Sequence, residues 1–303
     1  MTPEVAERIA RTVDPGCRLL ALAPLSGGAS SQVVALDVER ANGERARRVV
    51  RRHGAGNLDR DPDTAAHEFQ LLRVLRERGV PVPAPLHLDA SGDVLPTPFL
   101  VLDFVEGTTE ITEADLDGAL DAMADHLLRV HAIRSDDDAV SFVLDHARLV
   151  TWWLAHPPER LDASLEEGVI REALTASWPW PRSGRPVLQH GDYWPRNLLW
   201  RGGRLVAILD WEDAARGDPL ADLAITRLEL VWAFGHEAAE RFTRRYLASA
   251  PVDPATLPLW DLAAALRPAG RLTEWADGDP EREAAMRPAH AAFTANALAR
   301  AGF

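Results

Sequence analysis

The sequence predicts an α+β protein in which a strand-rich segment precedes a longer, mainly helical one. The first hundred residues alternate strand-like runs with turn signals and contain one helical pattern. Beyond Gly107 the apolar residues recur at helical spacing over long stretches. At 303 residues the chain is long enough for two lobes, which we place at residues 1–105 and 106–303.

The elements of the first lobe follow from turn chemistry and apolar spacing. Strands at Gln32–Val38 and Arg48–Arg52 come after a Gly/Ser turn at Ser26–Ser31. Asp61-Pro62 predicts a helix start, because Asp caps helices and proline fits the first helical position. A later apolar run, Phe99–Phe104, has the length of a buried strand. The first lobe is therefore predicted to be a small antiparallel sheet with one main helix.

The second lobe is predicted to be mainly helical. Three long patterns share helical periodicity, at Ala114–Ile133, Phe142–Leu154 and Leu161–Ser177. Three short runs read as strands, at Val187–Gln189, Asn197–Trp200 and Leu205–Leu209. Gly202-Gly203 predicts a hairpin turn between the last two, and Asp218-Pro219 starts another helix by the cap-plus-proline pattern.

Composition narrows the functional classes. The net charge of -13 argues against a nucleic-acid-binding protein, which needs a concentrated basic surface, and is compatible with a cationic partner. All 33 basic residues are Arg, so any role that needs a fixed cation falls to Arg or to a protonated His. No apolar stretch approaches membrane-spanning length, and the first residues lack a secretory pattern. With Cys17 as the single cysteine, we expect a cytoplasmic protein without disulfides.

The residues that carry chemistry lie between His190 and Asp210. Phosphoryl transfer needs a carboxylate to orient the attacking hydroxyl, and oxygen ligands that hold Mg²⁺ against the phosphate. Asp192 supplies the first function. Asn197, five positions later, and Asp210, at the end of the next strand, supply the oxygen ligands. The alternative is that these residues only cap turns, which would not require this ordered set.

The same residues resemble a known family. His190-Gly191-Asp192-x-x-x-x-Asn197, Ile208-Leu209-Asp210-Trp211-Glu212 and Gly217-Asp218-Pro219-x-x-Asp222-Leu223-Ala224 follow, in order, the pattern of the aminoglycoside phosphotransferase family. The resemblance implies a bilobal protein-kinase-like fold, ATP or GTP as the phosphoryl donor, and Mg²⁺. It also implies that Asp218, Asp222 and His190 brace the catalytic loop.

The resemblance further implies a nucleotide-binding lobe. The family has a basic residue on a strand, paired with a helix Glu, to bind the α- and β-phosphates; here Arg51 and Glu68 occupy those positions. Arg in place of the usual lysine is a departure from the family pattern. Arg52 is the competing residue, but strand alternation puts Arg51 on the face of Val49. A solvated ion pair without function is the alternative.

Two further segments belong to the implied nucleotide site. The loop containing Ser26, Gly28 and Ser30 would cover the phosphates, although glycine turns between strands are more often plain hairpins. Backbone groups at Asp103 and Val105 would contact the purine at the inter-lobe hinge, although a core strand without a ligand has the same sequence pattern.

The predicted function is transfer of a γ-phosphoryl group to a hydroxyl of a small molecule. Aminoglycosides or other antibiotics are candidate acceptors, and the acidic positions Asp213, Glu229, Glu274 and Asp277 suit a cationic one. Choline, homoserine and sugars are the alternatives, because one fold serves many acceptors. A nucleotide-binding pseudokinase that acts as an interaction module is the rival from another class, and only the missing lysine supports it.

Overall fold

The structure, a computed structural model, describes residues 1–25 and 31–303. The chain divides into two compact units. The first comprises Met1–Thr108, Leu199–Arg201 and Val206–Glu212, and the second comprises Thr109–Leu198, Gly202–Leu205 and Asp213–Phe303. Among the helices of these described ranges, none has both the length and the apolarity of a membrane span.

The first unit is built on a five-stranded antiparallel sheet. Its strands are β1 (Arg18–Pro24), β2 (Ser31–Glu39), β3 (Arg45–His53), β4 (Pro85–Asp89) and β5 (Phe99–Asp103), in the order β1-β2-β3-β5-β4. The predicted strands at 32–38, 48–52 and 99–104 are confirmed to within a few residues. The register places Arg51 of β3 opposite Leu100 of β5.

Three helices accompany this sheet, where the sequence had indicated one. They are α1 (Pro3–Val13), α2 (Ala55–Arg60) and α3 (Thr64–Glu77). The predicted start of the main helix at Asp61-Pro62 is wrong, because α3 begins at Thr64. The Asp61 carboxylate instead accepts a hydrogen bond from the Asp63 backbone N–H (3.0 Å), which closes a turn ahead of the helix.

Helix α1 closes one face of the sheet. Thr2 caps it, and Ala6, Ile9 and Ala10 lie at helical spacing and are fully buried. They pack in one cluster with sheet residues that include Val50. Since neighbouring residues of a strand point to opposite faces, Val50 in this cluster directs Arg51 to the other face of β3.

The second unit is mainly helical, as predicted. Its helices are α4 (Leu116–His131), α5 (His146–Ala155), α6 (Glu167–Ser177), α7 (Pro219–Phe234), α8 (His236–Leu247), α9 (Leu257–Leu266), α10 (Leu272–Trp275) and α11 (Pro280–Ala301). Helix α5 begins four residues later than predicted because Asp145 is its cap, accepting from the Ala147 N–H (2.9 Å). Helix α6 begins six residues later than predicted, directly after Glu166, which has a left-handed φ of 56°.

Short strands connect these helices. Strands β6 (Leu144–Asp145), β7 (Val187–Gln189) and β10 (Ala215–Gly217) form a three-stranded sheet, and β8 (Leu198–Arg201) pairs with β9 (Arg204–Ile208). The Gly202-Gly203 turn is confirmed, with φ of 57° and 72° at its two glycines. Asp218 caps α7 and Pro219 is its first residue, also as predicted.

Helix α7 forms the centre of the second unit, packed against α8, α9 and α11. Its residues from Pro219 to Val231 are all buried, including Arg227. Nε of Arg227 donates to the Asp261 carboxylate (3.0 Å) and Nη1 donates to the Thr243 hydroxyl (2.5 Å). Burial raises the pKa of Asp261 to about 6, against the opposing effect of Arg227. The pair therefore joins α7 and α9 through buried charge.

Replacing Arg227 with Met should destabilise the second unit by about 3–5 kcal/mol, because the buried Asp261 carboxylate loses its partner. Denaturant unfolding followed by tryptophan fluorescence would measure this loss. The double change Arg227→Met with Asp261→Leu should recover much of it, whereas Arg134→Met, which breaks the exposed pair with Asp136, should cost under about 1 kcal/mol. Equal losses for the buried and the exposed pair would contradict the assignment.

Candidate functional site

The first unit contains a buried cluster of opposite charges around Arg51, which is 8% exposed. Nη2 of Arg51 lies 2.6 Å from Oδ1 of Asp210 and 2.7 Å from Oε2 of Glu212. Its Nε lies 3.1 Å from Oε2 of Glu68, at an angle that leaves both atoms without a hydrogen bond. One guanidinium thus joins β3 to α3 and to the segment after β9. The pairing of Arg51 with Glu68 agrees with the sequence prediction.

His53 is a second cation of this cluster. Its Nε2 lies 2.8 Å from Oε2 of Glu68 and its Nδ1 lies 3.6 Å from Oε2 of Glu212. Burial disfavours charge on the ring, but Glu212 and Glu68 outweigh it and raise the pKa of His53 to about 9. Asn57 and Ser31 also donate to Oε2 of Glu212, at 2.9 and 3.0 Å. Two cations and two neutral donors therefore surround three carboxylates.

The carboxylates respond differently to this environment. Burial opposes ionisation of Glu68, yet Arg51 and His53 prevail and lower its pKa. At Asp210 burial prevails over Arg51, and Glu212 adds repulsion, so the pKa of Asp210 rises to about 6. Asp210 has a left-handed φ of 63°, which Asp tolerates better than most residues. Asp210, which follows β9, thus accepts a hydrogen bond from Arg51, yet its pKa stays above that of an ordinary aspartate.

In the second unit, a loop following β7 is fixed by one buried carboxylate. Asp222 accepts hydrogen bonds from the backbone N–H groups of His190 (2.7 Å) and Gly191 (2.9 Å). Nε2 of His131 lies 3.1 Å from the same carboxylate, and Nδ1 of His131 lies 2.7 Å from the Tyr246 hydroxyl. Burial opposes ionisation of Asp222, but these partners lower its pKa. Asp222 therefore remains charged and orients the loop.

Asp192 lies on this loop with its carboxylate oriented by two side chains. Nδ2 of Asn197 donates to Oδ2 of Asp192 and to its backbone carbonyl, both at 3.0 Å. Nη2 of Arg267 lies 3.4 Å from Oδ1 of Asp192. Burial raises the pKa of Asp192 against the effect of Arg267, with a smaller contribution from Asp213. A carboxylate with a raised pKa is a better proton acceptor than an ordinary aspartate.

A second carboxyl group lies near Asp192. Glu229, on α7, is 7% exposed, and burial together with the charge of Asp192 raises its pKa to about 8. Arg267, Arg282 and Arg196 oppose this shift without cancelling it. Glu229 is therefore mostly protonated at neutral pH and can donate a hydrogen bond.

Comparison with known sequences shows the family to which this chain belongs. The sequence model of the phosphotransferase enzyme family matches residues 21–266, which include both sets of residues described above except for Arg267 and Arg282. The chain belongs to the phosphotransferase enzyme family.

Parts of several curated proteins are similar to this chain. Mouse acyl-CoA dehydrogenase family member 10 is 27% identical over 201 residues, covering 59% of this chain and 18% of that protein. The aminoglycoside 3'-phosphotransferase of Escherichia coli is 31% identical over 147 residues, covering 42% of this chain and 51% of that protein. The chain thus spans about a fifth of the length of the first relative and half of the second.

Solved structures of phosphotransferases share the fold. The GDP and kanamycin complex of APH(2")-IIia has a TM-score of 0.68 at 19% identity, covering 96% of this chain and 98% of that one. The streptomycin–ATP–APH(2")-IIa ternary complex has a TM-score of 0.55 at 19% identity, covering 87% and 86%. The predicted α+β fold with an antiparallel first part and a helical second part is therefore confirmed as kinase-like.

The predicted site residues of this family member fall into two groups. Arg51, Glu68 and Asp210 meet in the first unit, and Asp192 meets Asn197 in the second. Three predicted residues, Ser26, Gly28 and Ser30, lie outside the described residues.

Of the predicted hinge residues in the first unit, Asp103 is the last residue of β5 and Val105 lies two positions after it. The Asp103 backbone N–H donates to the Ala84 carbonyl (2.8 Å), and its carboxylate accepts from Nη1 of Arg48 (2.7 Å). Val105 is half-buried. The N–H of Asp103 is thus already used by the Ala84 carbonyl.

Sequence reasoning missed several residues of the site. His53, Asn57 and Glu212 complete the first cluster, and Arg267 contacts Asp192 from beyond α9. Glu212 could have been found, since it lies in the Ile-Leu-Asp-Trp-Glu run. Arg267 is one arginine among 33 and stands in no recognisable motif.

Replacing Gly191 with Ala should deform the loop that carries Asp192. Gly191 has a φ of +82°, and a Cβ there would lie 2.0 Å from the Asp213 carbonyl oxygen. We expect a loss of more than about 2 kcal/mol in the free energy of unfolding. Gly202→Ala is the matched control, because Gly202 also has a positive φ of +57° but open space around it, and should cost about 1 kcal/mol. Equal costs would contradict the close contact.

Glu229→Gln should remove a loss in the free energy of unfolding that the wild type suffers as the pH rises. An acid whose pKa rises from 4.5 to about 8 on folding costs stability as pH increases through that window. The variant should match the wild type near pH 5 and exceed it by about 1–3 kcal/mol near pH 7.5. Thermal or denaturant unfolding across this pH range measures the difference. The exposed Glu159→Gln should change nothing, and unchanged pH dependence in Glu229→Gln would count against the buried acid.

Proposed function

We propose that this protein transfers the γ-phosphoryl group of ATP or GTP to a hydroxyl group of a small molecule. The observation that carries the proposal is the loop around Asp192. Its carboxylate is oriented by Asn197 and its backbone is fixed by Asp222. Phosphoryl transfer depends on positioning and electrostatics, and a half-buried proton acceptor that is oriented by hydrogen bonds meets that need.

Asp192 is proposed as the catalytic carboxylate. It accepts a hydrogen bond from the acceptor hydroxyl and orients a lone pair of that oxygen toward the γ-phosphorus. As the new P–O bond forms, the bond between the γ-phosphorus and its bridging oxygen breaks, and the nucleoside diphosphate leaves with that electron pair. The hydroxyl proton passes to Asp192 and from there to water. The raised pKa of Asp192 favours this proton transfer.

Asn197 and Asp210 are proposed as the ligands of Mg²⁺. The amide nitrogen of Asn197 is used by Asp192, so the amide oxygen is the atom left for a cation. Asp210 offers a carboxylate, and both are hard oxygen donors of the kind that Mg²⁺ prefers. When bound, Mg²⁺ neutralises charge on the transferring phosphate.

Arg51 is proposed to bind the nucleotide phosphates in place of the family's lysine. Its Nε and Nη2 face carboxylates, whereas no hydrogen bond joins Nη1 to a residue in the described ranges. Glu68 and Glu212 hold the guanidinium in place, which leaves Nη1 for a phosphate oxygen. Ser26, Gly28 and Ser30 are proposed to cover the phosphates, and the backbone at Asp103 and Val105 to contact the purine.

The acceptor is a small molecule with a hydroxyl group. Two of the similar solved structures are named as complexes with kanamycin and streptomycin. These names support aminoglycosides as one candidate class of acceptor. Choline, homoserine and sugars are others, since one fold serves several acceptors. We place the reaction in the cytoplasm, where a thiol such as the buried Cys17 stays reduced.

A pseudokinase that only binds nucleotide is disfavoured by the charges at the site. Burying Asp192 and Asp210 raises the pKa of both, and this desolvation costs stability. A protein that only bound nucleotide would gain nothing from an oriented proton acceptor at Asp192. Arg51 already pairs with Glu68, so the missing lysine does not remove the ion pair expected in an active enzyme.

Asp192→Asn should lower Mg²⁺-dependent phosphoryl transfer by about a hundredfold or more, because the proton acceptor is lost while the shape is kept. The assay measures ATP and GTP consumption with aminoglycosides, macrolides, choline, homoserine and sugars as acceptors. Asp210→Asn should lose activity and nucleotide affinity together, whereas exposed Glu159→Gln should behave as the wild type. Turnover that persists in Asp192→Asn would remove the assigned role, and absence of nucleotide binding in the wild type would refute the kinase proposal.

A further inference from the structure

Arg267 lies beside the proposed catalytic carboxylate and is held in a fixed orientation. Its guanidinium carbon lies 5.5 Å from the centre of the Trp275 ring, in cation–π contact. Nη2 lies 3.4 Å from Oδ1 of Asp192 and 4.0 Å from Oδ2 of Asp213. Trp275 packs in turn against Trp232, with ring centres 5.8 Å apart. Arg267 thus packs against the Trp275 ring and directs Nη2 toward Asp192.

A second nitrogen of the same guanidinium, Nη1, makes no hydrogen bond in the part of the chain that the structure describes. Nη1 of Arg267 is buried and meets no hydrogen-bond acceptor within residues 1–25 and 31–303. The structural arginine Arg227 is different, because its Nε bonds Asp261 and its Nη1 bonds Thr243. A buried charged donor without an acceptor is costly unless a ligand supplies one. The Arg267 side chain is 17% exposed as a whole, but Nη1 itself is buried, so a ligand reaches Nη1 only when the side chains that cover it move.

The neighbouring acids are poorly suited to receive a cation. Asp277 is engaged by both Arg196 and Arg282. Glu229, which burial keeps mostly protonated at neutral pH, contributes little negative charge. Asp213 is shared with Arg267. A cationic group placed against Arg267 would be repelled at close range in a partly buried setting, where charges interact more strongly than in water.

We propose that Arg267 binds an acidic group of the acceptor, so that the acceptor carries an oxyanion, a carboxylate or a phosphate, in addition to its reacting hydroxyl. The proposal rests on the proposed function for the reaction at the hydroxyl. Nη1 donates to the oxyanion while Nη2 stays on Asp192, so one guanidinium positions both the substrate and the proton acceptor. Arginine suits this role because its planar fork binds two acceptors at a fixed separation.

The test uses matched pairs of acceptors with the full-length protein, Mg²⁺ and ATP. Hydroxycarboxylates are each compared with their methyl esters, and phosphorylated alcohols with the free alcohols. The wild type should prefer the charged member of one pair type, and that type identifies the oxyanion. Arg267→Gln should raise KM for the charged acceptor about tenfold to a hundredfold, because a charged hydrogen bond is lost. It should leave KM for the uncharged partner and for ATP nearly unchanged.

Two variants separate this role from others. Arg267→Lys should restore part of the affinity for the charged acceptor, since it returns the charge but not the fork. Arg271→Gln, an equal change of charge at an exposed arginine that donates to the Arg267 carbonyl, should have no effect on KM. Circular dichroism and unfolding midpoints verify that each variant is folded.

The outcomes distinguish the acceptor site from the kinase function. Equal use of the charged and uncharged members in both pair types, or a rise in KM for ATP alone in Arg267→Gln, would overturn the proposal. A shifted pH profile without any change in KM would also overturn it, because Arg267 would then act only on Asp192. Calorimetric binding of the charged acceptor that is lost in Arg267→Gln, without turnover of any acceptor, would support the acid site and refute the kinase function.

Discussion

The geometry of the candidate site depends on the buried carboxylate of Asp222. It accepts from two successive backbone N–H groups of the loop and contacts His131, so three groups on two other segments converge on one side chain. Such a carboxylate keeps its charge because its hydrogen bonds outweigh the cost of burial, which is why its pKa is lowered. Asp192 inherits its position from this arrangement, since it is the next residue along the loop after Gly191.

The same principle, in which burial is offset by oriented partners, explains the first unit. The cation at its centre is Arg51, and an arginine brings more donors than a lysine in a fixed plane. Three carboxylates surround Arg51, and His53 is a further cation of the cluster. Glu212 occupies the second contact of Nη2. The buried charge of Arg51 is therefore matched by acceptors on several sides.

The sequence predicted most of what local chemistry determines. The cap-plus-proline start of α7, the glycine turn between β8 and β9, and the pairing of Arg51 with Glu68 all depend on nearby residues or on a motif. It failed where tertiary contacts decide. Helix α1 lacks a strong apolar run and is fixed by packing on the sheet, while Arg267 reaches Asp192 across 75 positions of the chain. Neither placement can be read from spacing, because neither follows from a periodicity.

Net charge and local charge lead to opposite conclusions about the acceptor. The net charge of the whole chain is -13, which favours the attraction of cations from a distance. Over such distances, however, salt screens the attraction strongly. Around Asp192, however, the nearest cation is Arg267, which also lies 4.0 Å from Asp213. Glu229 is mostly protonated, and Asp277 is already engaged by two arginines. Contacts within a few ångströms in a partly buried site exceed the screened field of the distant surface. The chemistry of the acceptor is therefore better judged from Arg267 than from the composition of the chain.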